Sequence, residues 1–255
     1  MKYPRQKSNW HYDRILIAAF LLVVLLLALI LGLPKLSQTL AGAKNSTTQS
    51  SSSNMATSSS ALNGLVTSSS KTYFYHNNVQ ETGFQTVNGD TYYFDPTTKA
   101  EVGQMRPMTG EYWRESSMLK AYPDVAKLSK LSVFVSLSEQ RVYLKSDTKV
   151  IYVMYASSGG EDGTTPTGNF TLNDYRAASF YNSAEGEGAN YPTGFYEYSI
   201  YLFHSVPTDS SGQYILSQAT LLGKSAASHG CIRLSVADSQ WFQKNMPTGT
   251  PVSIH

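Results

Sequence analysis

The chain has 255 residues, of which 41% are hydrophobic and 15% charged, and its formal net charge is +2. That length accommodates one full-sized domain and a smaller unit. From residue 120 to the end, ten Lys and Arg are balanced by eleven Asp and Glu, which argues against a basic groove for nucleic acid. The single cysteine excludes an intramolecular disulfide.

The first element is an apolar run, Ile15–Leu33, that contains no charged residue. At 1.5 Å per residue it would be roughly 28 Å long, enough to cross the hydrocarbon core of a bilayer. Basic residues precede it, which predicts a cytoplasmic tail at residues 1–14 and export of the remainder. A signal peptide cleaved near Ala41-Gly42-Ala43 is the alternative, but signal peptides have shorter apolar regions. We expect a retained single-pass anchor.

Residues 34–71 are rich in Ser and Thr, a composition that predicts a disordered linker because it cannot bury enough apolar surface. Residues 72–110 contain two similar stretches, TYFYHNNVQETGFQ and TYYFDPTTKAEVGQ, with a hairpin-turn signal at Asn88-Gly89-Asp90. Both resemble the aromatic cell-wall-binding hairpins of Gram-positive surface proteins, which implies glycan binding. The alternative is that the hairpins only pack on the next domain, which follows a connector at residues 111–121.

Residues 122–255 show the pattern of a compact β domain. Strands are predicted over residues 131–137, 141–144, 150–155, 169–172 and 251–254, and a further strand is predicted to end at His204. Glycine-rich loops are expected between residues 159 and 168 and between residues 184 and 190. One helix is expected after Ser235, which can cap it through Asp238 three residues on.

The segment with the clearest chemical meaning is Ser228-His229-Gly230-Cys231-Ile232-Arg233-Leu234. A cysteine nucleophile needs a base to form thiolate, amide donors for the oxyanion and open access. Gly230 allows a tight backbone next to Cys231 and leaves the Cys231 amide available as a donor. Arg233 would lie on the same face of an extended chain, where its guanidinium favours thiolate and can hold a substrate carboxylate.

His204 is the preferred base, because it ends an apolar strand and can approach the thiol from across the sheet. His229 is too close to Cys231 in sequence to present its ring to the thiol, although it can support the substrate or oxyanion site. Ser205 is expected to orient His204 through its hydroxyl or carbonyl. A zinc site and a papain-like peptidase are the alternatives. The first lacks a second cysteine, and the second requires its histidine downstream of the cysteine. No metal or cofactor is predicted.

With these residues, the segment from Tyr122 to His255 resembles the YkuD-type L,D-transpeptidase catalytic domain. The resemblance extends to Tyr122-Pro123-Asp124, to Gln140-Arg141-Val142-Tyr143, to the stretch from Thr165 to Phe170, and to Gly249-Thr250-Pro251-Val252. It implies a mainly β fold, a β-sandwich or mixed sheet with one or two short helices. One departure from the family is a longer gap between His204 and Ser228, which suggests an inserted loop over residues 208–220.

The family implies that Cys231 is the nucleophile and that His204 accepts and donates the proton. It also implies that Ser228, His229 and Gly230 frame the substrate and oxyanion site, with Arg233 contacting the stem peptide. The expected reaction is 3–3 cross-linking of peptidoglycan tetrapeptide stems with release of D-Ala, outside the cytoplasmic membrane. The alternatives are an L,D-carboxypeptidase, which uses water as the acceptor, and a wall-binding protein without catalysis. The expected partners are stem peptides and the membrane, with no nucleic acid.

Overall fold

The computed structural model describes residues 61–161 and 163–255. Within these ranges the chain consists of sixteen strands, two short α-helices and two 3-10 turns. The prediction of a mainly β fold with one or two short helices is therefore confirmed for this part of the chain.

The predicted cytoplasmic tail, membrane span and most of the predicted linker lie outside the described residues. Among the residues that the structure does describe, no helix is both long enough and apolar enough to span a membrane. The anchor at residues 15–33 accordingly stays a prediction.

The aromatic segment forms two antiparallel three-stranded units. The first contains β1 (Gly64–Ser68), β2 (Lys71–His76) and β3 (Val79–Glu81), and the second contains β4 (Gly83–Val87), β5 (Asp90–Phe94) and β6 (Glu101–Gln104). The predicted turn joins β4 to β5 through Asn88 and Gly89, which have φ of 54° and 93°. The linker prediction was wrong at its end, since residues 64–71 form β1 and the start of β2. Their Ser and Thr side chains can lie on the solvent face of a paired strand, so composition alone did not reveal the strand.

The second unit packs against the domain that follows it. Tyr93 and Phe94 are buried, and the ring of Tyr93 lies 5.3 Å from the ring of Tyr143. The Asp95 carboxylate accepts a 2.7 Å hydrogen bond from the amide of Val150. The packing alternative for this unit is therefore observed, whereas glycan binding by the hairpins stays a prediction.

The connector between the second unit and the main sheet is built into the core. Trp113 and Met118 are buried there, and the Tyr112 hydroxyl donates 2.8 Å to the carbonyl of Leu222. A 3-10 turn spans Tyr112–Arg114 and a second spans Val125–Lys127. These residues contribute side chains to the same hydrophobic core as the sheet.

An eight-stranded mixed sheet forms the centre of the domain, in the order β10-β16-β7-β8-β9-β15-β14-β13. Its strands pair antiparallel except at two places, where β16 lies parallel to β7 and β15 lies parallel to β14. The strands are β7 (Leu131–Ser136), β8 (Arg141–Ser146), β9 (Lys149–Ser157), β10 (Gly168–Thr171), β13 (Thr193–Tyr196), β14 (Tyr201–Ser205), β15 (Ile232–Leu234) and β16 (Pro251–Ile254).

Two segments outside the sheet bear on the site. The predicted loop at residues 184–190 is wrong in part, because β11 (Ser179–Asn182) and β12 (Glu187–Asn190) form an antiparallel hairpin there. The segment predicted as an inserted loop contains a short helix, α1 (Leu216–Ala219).

The predicted helix is present as α2 (Val236–Asn245). As expected, the Ser235 hydroxyl caps it by accepting from the amide of Asp238 at 3.0 Å. The ring of Phe242 on this helix lies 4.8 Å from the ring of Phe203 on β14. The helix therefore supports β14 from the core side.

Candidate active site

Parallel pairing of β14 with β15 sets the positions of the predicted catalytic residues. Phe203 is paired with Ile232, and His204 with Arg233. Phe203 and Ile232 are almost completely buried in the core. Side chains alternate along a strand, so His204 and Arg233 lie on the opposite face, the face to which Cys231, two residues before Arg233, also belongs.

The turn that presents Cys231 is held by side-chain hydroxyls. Ser228 donates to the Cys231 carbonyl at 2.6 Å and accepts from the Gly230 amide at 3.1 Å. Gly230 has φ of +121°, a value that glycine adopts far more readily than other residues. The Thr165 hydroxyl donates to the Gly230 carbonyl at 2.9 Å. The backbone of this turn is therefore fixed before any substrate binds.

The Cys231 thiol lies in a pocket that also contains His204 and Arg233. Its sulfur lies 3.5 Å from the carbonyl oxygen of Ile200, to which the S–H group can donate. Burial raises the pKa of the thiol to about 11, although the nearby charge of Arg233 acts in the opposite direction. The expected effect of the guanidinium on the thiolate is present, but burial outweighs it. Cys231 is thus a neutral thiol at rest.

His204 is held in one orientation by its own strand. Its Nδ1 lies 2.6 Å from the carbonyl oxygen of Ser205, which can only accept, so Nδ1 carries the proton and Nε2 is left as an acceptor. The ring of Phe180 on β11 lies edge-on at 5.3 Å. Burial, followed by the charge of Arg233, lowers the pKa of the imidazole to about 3. His204 is therefore neutral at physiological pH.

Ser205 contacts His204 through its carbonyl, one of the two possibilities that the sequence left open. The Ser205 hydroxyl has a different use. It donates to the Val206 carbonyl at 2.8 Å and accepts from the Asn190 amide at 3.0 Å. The hydroxyl therefore ties the end of β12 to β14.

Arg233 is buried, with only 2% of its surface exposed. Its Nη2 donates to the Glu187 carboxylate at 2.6 Å, and its Nη1 donates to the Gln218 side-chain oxygen at 2.7 Å. The Nε group has no hydrogen-bond partner among the described residues. Two of the guanidinium nitrogens are thus committed to the protein, and Nε is buried away from solvent.

His229 lies at the edge of the site and is about one-third exposed. Its Nδ1 contacts the carboxylate of Glu185, and the Glu187 carboxylate is 3.9 Å away. The two histidines therefore have different surroundings, since His204 contacts a carbonyl and His229 contacts acidic side chains. This difference supports His204 as the neutral base and His229 as a supporting group.

These groups line one pocket of about 270 Å³, which is open to solvent. The sheet supplies Cys231, His204 and Arg233, whereas the β11–β12 hairpin supplies Phe180, Asn182, Glu185, Glu187 and Gly188. All predicted site residues except Gly230 and Ser205 line the pocket, and those two act through backbone groups. A thiol, an imidazole with a free acceptor nitrogen and a guanidinium in one pocket can support acyl transfer.

Three contributors to the site were missed in the sequence. Glu187 and Gln218 pair with Arg233, and Glu185 contacts His229. A buried arginine requires an acceptor, so an acidic partner could have been expected. The identity of that partner depends on β12 and on α1, which both lie in segments predicted as loops.

Comparison with known proteins identifies the class of protein to which the chain belongs. A family model of the L,D-transpeptidase catalytic domain, YkuD, matches residues 130–254. The "Putative L,D-transpeptidase YciB" of Bacillus subtilis (strain 168) is 35% identical over 161 residues, which are 62% of this chain and 77% of that protein. These similarities define an acyl-transferring enzyme. The chain belongs to the YkuD family of L,D-transpeptidases.

Other similarities cover less of the chain. The "Probable L,D-transpeptidase 3" of Mycobacterium tuberculosis (strain ATCC 25618 / H37Rv) is 33% identical over 106 residues, 40% of this chain and 38% of that protein. A crystal structure of the L,D-transpeptidase of Xylanimonas cellulosilytica DSM 15894 is 26% identical with a TM-score of 0.39, covering 53% of this chain and 65% of that chain. The family assignment rests on the sequence matches.

Proposed function

We propose that this protein cross-links peptidoglycan by acyl transfer between tetrapeptide stems, with Cys231 as the nucleophile. The bond formed joins the third residues of two stems, a 3–3 cross-link, and D-Ala is released. One observation supports this proposal for a chain of the YkuD family. The only thiol of the chain shares a pocket with a neutral imidazole on the neighbouring strand.

In the first step Cys231 attacks the carbonyl carbon of the third stem residue. Because both groups are neutral at rest, the thiol proton moves to Nε2 of His204 as the carbon–sulfur bond forms. The Nδ1–H group keeps its hydrogen bond to the Ser205 carbonyl, which stabilises the imidazolium and holds the ring in place.

The tetrahedral intermediate then collapses to a thioester. Its oxyanion is stabilised by the amide of Cys231, since the amide of Gly230 already donates to Ser228. The bond between the carbonyl carbon and the nitrogen of D-Ala breaks, and the imidazolium of His204 gives its proton to the departing amine. The third stem residue remains bound to the sulfur.

In the second step the amine of a neighbouring stem attacks the thioester. Its proton passes to Nε2 of His204, the new amide bond forms, and the sulfur leaves as thiolate and regains a proton from the imidazolium. Water in place of the amine would give a free tripeptide, which is the carboxypeptidase reaction. The acceptor, amine or water, therefore decides between the two activities, and the residues that act on the donor stem are the same in both.

The test uses the full-length protein and a tetrapeptide stem with a diamino acid at the third position and D-Ala at the fourth. Mass spectrometry follows D-Ala, dimer and tripeptide. The proposal predicts equal amounts of D-Ala and dimer, and no D-Ala from Cys231→Ala. Release of D-Ala by Cys231→Ala at the wild-type rate would exclude the assignment, and tripeptide without dimer would identify a carboxypeptidase.

We also place the enzyme outside the cytoplasmic membrane, anchored by residues 15–33. The uncharged apolar run and the basic residues before it support this placement. Protease added to intact protoplasts should then degrade the catalytic domain and leave the tail at residues 1–14 protected. A catalytic domain that resists protease until the membrane is lysed would contradict the placement.

A further inference from the structure

The turn between β13 and β14 carries exposed aromatic side chains beside the catalytic pocket. Tyr198 is 58% exposed at the tip of this turn, and Tyr196 is 40% exposed at the end of β13. Tyr196 forms, with Phe170 and Tyr201, a continuous surface that we call the aromatic ridge, whereas the ring of Tyr198 contacts Tyr175. Exposed aromatic surface of this kind often marks a binding site.

The aromatic ridge is continuous with the pocket. A methyl group added at Gly230 would lie 3.0 Å from the ring of Tyr201, so that ring covers the backbone next to Cys231. The ring of Tyr196 lies 5.5 Å from that of Tyr201, and the ring of Phe170 lies 5.1 Å from that of Tyr196. A molecule bound at the thiol can therefore extend directly onto these rings.

The two walls of the pocket differ in charge. The hairpin wall holds Glu185 and Glu187 close to His229 and Arg233, which suits the charged groups of a stem peptide. Between Tyr196 and Tyr201 the only charged residue is Glu197. A tyrosine offers an apolar face and a hydroxyl, so this wall matches an uncharged ring that has an apolar face and hydroxyl groups. Sugar rings have this chemistry.

We propose that the aromatic ridge binds the sugar rings of the glycan strand that carries the donor stem. The inference rests on the proposed function, because it places the stem in the pocket and its sugars on the ridge. The enzyme thereby recognises a stem that is still attached to glycan more tightly than a free peptide.

The test compares two donors with the full-length protein, a free tetrapeptide and the same tetrapeptide attached to its disaccharide. Wild type should show a lower KM for the disaccharide donor by about two- to tenfold, the range expected from aromatic contacts. Tyr196→Ala should raise the KM for that donor toward the value for the free peptide, with kcat/KM for the free peptide unchanged. Tyr196→Phe, which keeps the ring, should retain most of the difference.

Tyr181→Ala is the matched control, since Tyr181 is 47% exposed on the opposite, hairpin side. Loss of the difference in Tyr181→Ala, or an equal loss on both donors in Tyr196→Ala, would overturn the proposal. If wild type turns over neither donor, the proposed function fails instead. Calorimetry with peptide-free glycan oligosaccharides on wild type and Tyr196→Ala then tests sugar binding by the ridge separately: weaker binding by the variant supports it, and no binding or equal binding contradicts it.

Discussion

His204 is the residue whose geometry is most fully specified. Replacing it with Ala removes the group that accepts the thiol proton, so turnover should fall by about 10²–10⁴-fold while the fold is retained. Steady-state release of D-Ala measures the rate, and circular dichroism checks the fold. Ser205→Ala is the matched control, because it keeps the carbonyl that holds the imidazole and should keep most of the rate. Near-normal rates in His204→Ala would move the role of base to His229.

The protonation state of Cys231 gives a prediction about pH. With the pKa of the thiol raised to about 11, the thiolate fraction is small at neutral pH and grows about tenfold for each pH unit below that value. The rate of alkylation by iodoacetamide should therefore rise through pH 9 without a plateau. Free cysteine, whose pKa is about 8.5, provides the reference. A plateau between pH 6 and 8 would show that thiolate already exists at rest.

The sequence identified most of the residues that have a chemical role, but it did not identify the side chains that they contact. The Ser228–Cys231 segment and the upstream His204 identified the pair that the sheet brings into one pocket. Arg233 was expected to face substrate, but the structure shows two of its nitrogens bound to Glu187 and Gln218. That pairing depends on distant segments folding over the site, and spacing along the chain contains no information about it.

At the scale of elements, a buried ion pair between Glu187 and Arg233 joins the β11–β12 hairpin to the sheet, in addition to the hydrogen bond between Asn190 and Ser205. Glu187→Ala would leave the buried charge of Arg233 without its counter-charge, so the free energy of unfolding should fall by about 3 kcal/mol. Glu185→Ala is the control. It removes a more exposed pair with His229 and should cost less than about 1 kcal/mol. Urea unfolding measures the free energy of unfolding of both variants. Equal losses of this free energy would contradict the conclusion that Glu187 holds the hairpin on the sheet.

The elements that the sequence predicted well have strong patterns. The sequences of β7 and β16 alternate apolar and polar residues or form short apolar runs between turn residues. Helix α2 begins after the predicted Ser235 cap, which the structure shows. The second strand of the hairpin lies in the predicted loop at residues 184–190, because its sequence, Glu-Gly-Ala-Asn, has no hydrophobic alternation. It is stabilised by pairing and by contacts with the site rather than by intrinsic strand preference.

Across the whole molecule, one buried carboxylate contributes to the junction between the connector and the catalytic domain. Asp238 accepts hydrogen bonds from the hydroxyl of Tyr122 at 2.7 Å and from the amide and hydroxyl of Ser117. The sequence placed a domain boundary at residue 122, whereas side chains before that residue fill the same core. Composition and motif searches do not reveal such a shared core.

Loss of this carboxylate should therefore destabilise the protein as a whole. Asp238→Ala would leave several buried donors without an acceptor, so the free energy of unfolding should fall by about 3 kcal/mol or more. Tyr122→Phe removes one of these hydrogen bonds and should cost about 1 kcal/mol. Chemical denaturation followed by tryptophan fluorescence compares them. A value for Asp238→Ala no larger than that for Tyr122→Phe would contradict this role.

The most direct test of the account is the intact mass of the protein after mixing with a tetrapeptide stem whose side-chain amine is acetylated, so that no acceptor amine is present. The wild-type chain should gain the mass of the stem without D-Ala, and peptide mapping should locate the gain at Cys231. Release of D-Ala with no adduct on this residue, or with the adduct elsewhere, would contradict a thioester mechanism.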